Sequence, residues 1–478
     1  MTGRRGACSR LSIISWTVSS VTVRPTVAAM GLPVSSVVRM LRVVLAPGVV
    51  FALLSLLWLL GWAAGERLVS TLTSGTFSIC ALGITGLLWK LASASAPVTV
   101  TFGNWFVVQD YRFPLVLIAD RLSLPFLAMT VVLSGLIGQF SSTYLHREPG
   151  FFRFFVLLHL FAFGSLLAFA AGSFDLLAGG WEIVGITSVL LIGFFQLRSA
   201  PVENGLRVFA VYRATDIGLL VGVFAMHHWA GSANLGSSLP LLTGKQVPVV
   251  SLLLLLAASG KAAQIPFSGW LPRAMEGPTP SSAIFYGAIS IHAGAYLLLR
   301  IQPLIARSAV ASTLVISIGV ATAIHGTIVG RASADAKTSL AYASLTQVGI
   351  MFVEIGLGWT TLALIHVLGH AMARTMQFLR APSMLHDYHQ VDSAIGGEAA
   401  HAETQFEDFM PEKVRSYVYR WAFDRGHLDT ILDRWVIEPL LDVSRLFARL
   451  DHLGWTVVKT RSDPAADSMM RASRQEGS

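Results

Sequence analysis

The side chains able to do chemistry in this chain are ionisable groups set inside apolar runs. Glu182 follows Trp181 within 174–195, and Arg213 and Asp216 stand three apart within 207–229. Lys261 lies in Ala257-Ala258-Ser259-Gly260-Lys261-Ala262-Ala263-Gln264-Ile265-Pro266. His292 falls within 280–300 and His325 within 309–330, while His366, His370 and Arg374 share one stripe of 358–380 at i, i+4 and i+8. A carboxylate and an amine in a semi-dry site shift their proton affinities by several units. Such groups can pass protons, which is the mechanistic use of buried ionisable chains.

Each charge at mid-bilayer costs on the order of 2.5–3.5 kcal/mol. Five of them (Glu182, Arg213, Asp216, Lys261 and Arg374) would together cost roughly 12–18 kcal/mol facing lipid, as much as a typical domain's whole stability of ~5–15 kcal/mol. They must therefore face a bundle interior, pair or touch water. Arg213 and Asp216 can pair on one helix face, as a purely structural ion pair or as part of a relay. Glu182 and Lys261 have no opposite charge on their own face, so their partners must come from other helices. Pro266 removes a backbone donor and Gly260 loosens the helix on the other side, so both read as a helix break, tolerated at membrane depth only where it lines a cavity or is buried. His227 and His228 beside Trp229 read as interfacial, His159 as a satisfied bundle histidine, Glu276 as a loop residue, and Glu354 and Lys90 as snorkelling.

The elements that must carry these groups follow from composition. Of 478 residues, 54% are hydrophobic and 13% charged, where an average soluble domain has roughly 25% charged. That excludes a soluble cytosolic enzyme, a disordered chain and a collagen-like one. Two cysteines, Cys8 and Cys80, exclude a disulfide scaffold and a multi-cysteine metal site. The net charge of +8 reads as loop anchoring at a membrane, and no basic stripe interleaved with aromatics points to nucleic acid. The expected fold is all-α: a polytopic membrane helix bundle with about eleven spans at 43–64, 76–93, 122–143, 151–171, 174–195, 207–229, 248–270, 280–300, 309–330, 337–356 and 358–380. Residues 97–121 read as an extended hairpin outside the bilayer.

Three regions follow: a basic N-terminal extension at 1–42, a transmembrane ion-conducting domain at 43–383 and a polar tail at 384–478. The extension lacks acidic residues and carries six arginines. A leader, an unstructured arm and a true start at Met30 or Met40 all fit it. The tail carries charge clusters such as Glu403, Glu407, Asp408, Glu412, Lys413 and Arg415, and an amphipathic stripe at 428–450 that Pro439 kinks or splits. The stripe suits a membrane surface, a partner, or the chain's own bundle equally well; 461–478 read as disordered. Arginine-rich internal loops place the tail on the cytoplasmic side of a cell inner membrane.

Three motifs carry a resemblance. Gly260-Lys261-Ala262-Ala263-Gln264-Ile265-Pro266 with Trp270-Leu271-Pro272-Arg273-Ala274-Met275-Glu276-Gly277-Pro278-Thr279-Pro280 resembles the signature of the antiporter-like subunits of respiratory complex I and Mrp antiporters. Trp181-Glu182-Ile183-Val184-Gly185 and Asp335-Ala336-Lys337 through Gly349 match two more of its segments. The resemblance implies inverted helical repeats around a polar axis, with Glu182 and Lys261 as a proton-channel pair and Arg213 and Asp216 as modulators. It extends the expected pathway to Lys337, His292, His366, His370 and Arg374.

Two departures matter: Tyr286 stands where complex I members usually carry histidine, with His292 six residues later, and Arg374 replaces a lysine. An arginine stays protonated and biases a field rather than relaying. The second repeat also looks shortened. This combination is similar to the DabB-type membrane subunits of inorganic-carbon accumulation complexes. That resemblance implies a cation-conducting subunit that drives CO2 hydration in a DabA-like, zinc β-carbonic-anhydrase-like partner on the cytoplasmic face, docked on the tail. The expected cofactor and catalytic set of this chain is then none, with zinc in the partner, and the expected surroundings are a lipid bilayer without nucleic acid. A proton is favoured over sodium because no cluster of oxygen ligands is evident. Two alternatives stand: a proton-translocating subunit of a complex I, Mrp or hydrogenase-type assembly, and a non-conducting membrane anchor.

Overall fold

Backbone N–H and C=O groups in hydrocarbon must pair within their own segment, so the apolar runs form helices. The computed structural model describes residues 34–381 and 411–462, apart from 63, 95–96, 109–110 and 334. Its spans are α1 (Val34–Leu59), α2 (Glu66–Ala94), α3 (Ser123–Tyr144), α4 (Phe151–Ala170), α5 (Phe174–Ile192), α6 (Ser199–Ala230), α7 (Gln246–Lys261), α8 (Thr279–Arg300), α9 (Ala309–Arg331), α10 (Ala336–Gly356) and α11 (Thr360–Arg380). Among the described residues nine helices are long and apolar enough to cross a bilayer. The other two are α7, which is short, and α11, which carries the polar stripe. The bundle is the all-α membrane fold expected, and its inner helix is α8, whose span is wholly buried.

Several boundaries move. α1 begins at Val34 rather than 43, so Arg39 and Arg42 belong to the first span and not to an extension ending at 42. Arg39 lies along α2 and donates to the Gly86 carbonyl (3.2 Å). α2 begins at Glu66 rather than 76, because Thr71, Thr73 and Thr76 turn their hydroxyls onto carbonyls four residues back. α7 stops at Lys261 rather than 270. Residues 1–33, the clusters at Glu403, Glu407 and Asp408, and the end beyond Ser462 lie outside the described residues.

The expected hairpin forms from β1 (Val98–Val108) and β2 (Tyr111–Ala119), antiparallel with register shifts around Gly103 and Asn104. It straps the α4–α5 turn, where the Gly172 N–H donates to the Val116 carbonyl (2.7 Å). Behind it, Arg300 at the end of α8 holds Asp120 through two bonds of 2.5 and 3.0 Å.

The tail supplies α12 (Glu412–Phe423) and α13 (Glu438–Ser462), joined by a turn at Arg425–His427 and a helical stretch at 428–437. Pro439 does not split the amphipathic stripe: the helix runs on from Leu428 through a π-helical stretch at Asp433–Ile437, just before the proline, into α13. The first part packs on the chain's own bundle. Asp429 accepts from Arg273 (2.7 Å) and Arg425 (3.3 Å), and Asp433 pairs with Arg207 of α6. The second part leaves Val443, Leu446, Phe447 and Leu450 exposed.

Candidate functional site

The helix break after Lys261 has a defined geometry. Ala263 adopts a left-handed φ of 53°, and the N–H groups of Ala263 and Gln264 cap the carbonyls of Gly260 (3.3 Å) and Ser259 (2.8 Å). The Ile265 N–H, left over by the break, donates to Thr322 Oγ1 of α9 (3.0 Å), which satisfies it inside the bundle. Gly260 is not itself the break: it is still helical, and an added Cβ would stand 2.0 Å from Thr215 Oγ1. Its missing side chain lets α7 press against α6, which sets Lys261 against the residues of α5 and α6.

There Arg213 bridges two carboxylates. It pairs with Glu182 of α5 and, at 2.8 Å, with Asp216 on its own helix. Trp181 Nε1–H donates to the other Asp216 oxygen (2.7 Å). Lys261 donates to the Trp181 carbonyl (3.3 Å), and its ammonium lies 4.1 Å from the Tyr212 ring centre and 5.0 Å from that of Trp181. Glu182 therefore meets Arg213 directly, and Lys261 joins through the residue next to Glu182. The cluster grades from open to sealed: the Glu182 and Arg213 side chains are 33% and 31% exposed, Asp216 is 2%, and Lys261 is fully buried.

A second row runs through α8, α10 and α11. Arg374 Nε–H donates to His370 Nε2 (3.3 Å), so His370 carries its proton on Nδ1 and donates to His292 Nε2 (2.9 Å), while His292 Nδ1–H donates to the Ala288 carbonyl. The tautomers follow from the network, since arginine can only donate. His366, with its ring centre 6.4 Å from that of His370, bonds Glu354 (3.0 Å) and Gln347 (3.0 Å). The π-helical stretch Ala283–Ala288 ends two residues before Ser290 and four before His292, and Gly287 within it lets α11 approach. Lys337 stands elsewhere, donating to Thr279 Oγ1 at the start of α8 (3.0 Å).

Sequence reasoning missed three residues. Glu354 does not snorkel: it is buried and closes the histidine row. Its distance in sequence from His366 spans the α10–α11 turn, which a helical-stripe search does not cross. Gly185 leaves room for the charges: a Cβ there would meet Lys261 Nζ at 3.1 Å and Arg213 Nη2 at 3.6 Å. His227 is buried and paired with Asp175 (2.8 Å) instead of interfacial. His159, expected to be satisfied, is so on one nitrogen only: Nε2 meets Thr73 Oγ1 (3.1 Å), while Nδ1 is buried without a partner among the described residues.

A charged cluster beside a broken helix, within a bundle that holds nine helices long and apolar enough to cross a bilayer among the described residues, defines a polytopic membrane protein with a buried charged axis. The chain belongs to the antiporter-like family shared by complex I chain 5 and Mrp subunits: residues 173–396 match the NADH:quinone oxidoreductase/Mrp antiporter transmembrane family, and 105–155 match the N-terminus of complex I NADH-ubiquinone oxidoreductase chain 5. It is 33% identical over 331 residues to NADH-ubiquinone oxidoreductase chain 5 of Cryptococcus neoformans var. grubii, covering 67% of this chain and 49% of that protein. It is 30% identical over 357 residues to the chloroplastic NAD(P)H-quinone oxidoreductase subunit 5 of Nephroselmis olivacea, covering 72% and 55%. The chain thus spans about half the length of the curated relatives it matches. Among solved structures it is similar to the Mrp complex from Dietzia sp. DQ12-45-1b (26% identity, TM-score 0.61, 77% of this chain and 40% of that one). The archaeal membrane-bound sulfane sulfur reductase shares the fold (20% identity, TM-score 0.63, 81% and 77%).

Proposed function

We propose that this chain is a proton-translocating antiporter-like subunit of a multisubunit complex of the complex I or Mrp type. The observation that carries the reading is the cluster Glu182–Arg213–Asp216 with Lys261 sealed beside it at the break. Two carboxylates share one fixed guanidinium, so a proton reaching Glu182 releases Arg213 toward Asp216, and the buried ammonium responds to that change of field. Tyr212, whose ring lies under the ammonium, interacts through its buried hydroxyl with Ser290, two residues from His292. That pair of hydroxyls offers a route from Lys261 toward the histidine row. His292, His370 and His366 then continue it to Glu354, and the fixed charge of Arg374 biases its direction. Lys337, tied to Thr279, bounds the route at the start of α8.

The half-open Glu182–Arg213 pair lies on a face where Ile186, Ile217 and Leu220 are exposed. Charges there cannot face lipid cheaply, which supports a neighbouring subunit covering them. The same reading puts the helical domain at 34–381 in an energy-conserving cell membrane, with the tail on the cytoplasmic side.

A second reading, coupling of the ion to CO2 hydration in a DabA-like zinc partner, draws on Arg374, which ends the histidine row with a residue that biases rather than relays. Purification of the intact complex separates the two: quinone-reductase or antiporter subunits support the first, a large zinc carbonic-anhydrase-like protein the second. Lys261→Ala in the intact complex, reconstituted in liposomes with a pH-sensitive dye, tests conduction itself. Loss of proton flux is expected; flux equal to wild type overturns the relay and leaves a membrane anchor.

A further inference from the structure

The C-terminal end of α9 and the tail helix α12 enclose a groove of about 510 Å³, within the range of small-molecule sites. Three arginines line it: Arg331 from the end of α9, and Arg415 and Arg420 from α12. Ile328, Val418 and Ala422 supply its apolar part, and among the described residues no acidic side chain lines it. Each of the two helices therefore gives the groove both basic and apolar side chains, the complement of a molecule with an anionic head and an apolar body.

The position of the groove selects the source of that molecule. α9 exposes Val320 and Ile324, a turn or two before Ile328, on a surface suited to acyl chains. α12 exposes Tyr417, Tyr419 and Phe423, the aromatic types that settle at headgroup depth. Trp421 of the same helix packs edge-on against His325 of α9, at 5.6 Å between ring centres. α12 thus lies at the edge of the membrane, and a lipid can enter the groove sideways from the leaflet.

We propose that the groove between α9 and α12 binds an anionic phospholipid, its phosphate among Arg331, Arg415 and Arg420 and its glycerol and upper chains against Ile328, Val418 and Ala422. The site lies apart from the proton route and does not depend on it. Basic pockets at the ends of spans take anionic headgroups by this combination of charge and apolar contact.

The test is titration of the full chain in neutral detergent with dioctanoyl-phosphatidylglycerol, dioctanoyl-phosphatidylcholine or inorganic phosphate, with bound adducts counted by native mass spectrometry. Phosphatidylglycerol is expected to bind at one saturable site, with phosphatidylcholine and phosphate much weaker. Arg415→Gln with Arg420→Gln should weaken it about thirtyfold, at the usual contribution of a basic residue near an anionic lipid surface. Ala332→Phe keeps all three arginines but fills the groove, and should lose the adduct as well. Equal binding of phosphatidylcholine, full occupancy by phosphate alone, or wild-type binding in Ala332→Phe would each overturn the proposal.

Discussion

Gly185→Ala isolates the role of Lys261 without removing a charge. The new methyl carbon would stand 3.1 Å from Lys261 Nζ, 3.6 Å from Arg213 Nη2 and 3.7 Å from the Tyr212 ring. The last two are ordinary contacts; the first forces the ammonium back by a few tenths of an ångström. Its bond to the Trp181 carbonyl is already 3.3 Å long, so that retreat breaks it. A hydrogen bond from a charged group contributes about 1.5–3 kcal/mol, so proton transfer through Lys261 should slow by about tenfold to a hundredfold. The fold should survive, because replacing a helical glycine by alanine gains about 1 kcal/mol against the crowding. Proton flux in liposomes and the melting temperature of the same preparation read the two effects separately. Gly179→Ala, on the same helix with nothing within 4 Å of its Cβ, is the control. Wild-type flux in Gly185→Ala, or an equal loss in Gly179→Ala, would refute the assignment.

Asp429→Asn should release the start of the tail, since Asp429 joins Arg273 and Arg425 while only 17% exposed. Between surface and buried pairs the loss is about 2 kcal/mol, read as roughly thirtyfold faster limited proteolysis of α12; unchanged cleavage would mean the tail is held by other contacts. Gly269→Ala should act in the same direction, because its Cβ would displace the Asp429 carboxylate. Asp120, outside the spans, is raised by its burial, but the hydrogen bonds and charge of Arg300 outweigh this and hold its carboxyl below the usual range. Its contribution to stability is therefore present above about pH 4 and lost as pH falls through the lowered value. Asp120→Asn should flatten that acid limb of a melting-temperature profile, and an unchanged limb would assign it to other carboxylates.

The positions of the helices were legible, nine of them long and apolar enough to cross a bilayer among the described residues, because hydropathy over about twenty residues is a strong signal. Their ends were not. Thr71, Thr73 and Thr76 read as polar yet satisfy themselves on their own helix, and Arg39 reads as part of a basic N-terminal extension yet lies along Gly86. The chemistry-bearing residues were legible as costly charges, and the i, i+3 spacing of Arg213 and Asp216 gave their pairing. The partners of Glu182 and of His366 depend on which spans meet, which single-chain spacing does not encode. Gly260 shows the same limit: its flexibility was visible, but its need to admit Thr215 was not.

The end of α7 is gripped by its neighbours. Thr322 holds the Ile265 amide, His325 one turn further along the same helix meets Ser268, and Trp421 from the tail rests on His325. The posture of the buried lysine is thus leased from α9, and α9 is in turn clasped from outside the bilayer. Whatever docks on or tugs at the tail has a mechanical handle on the break after Lys261, so in the proposed function assembly and ion passage would draw on the same few contacts.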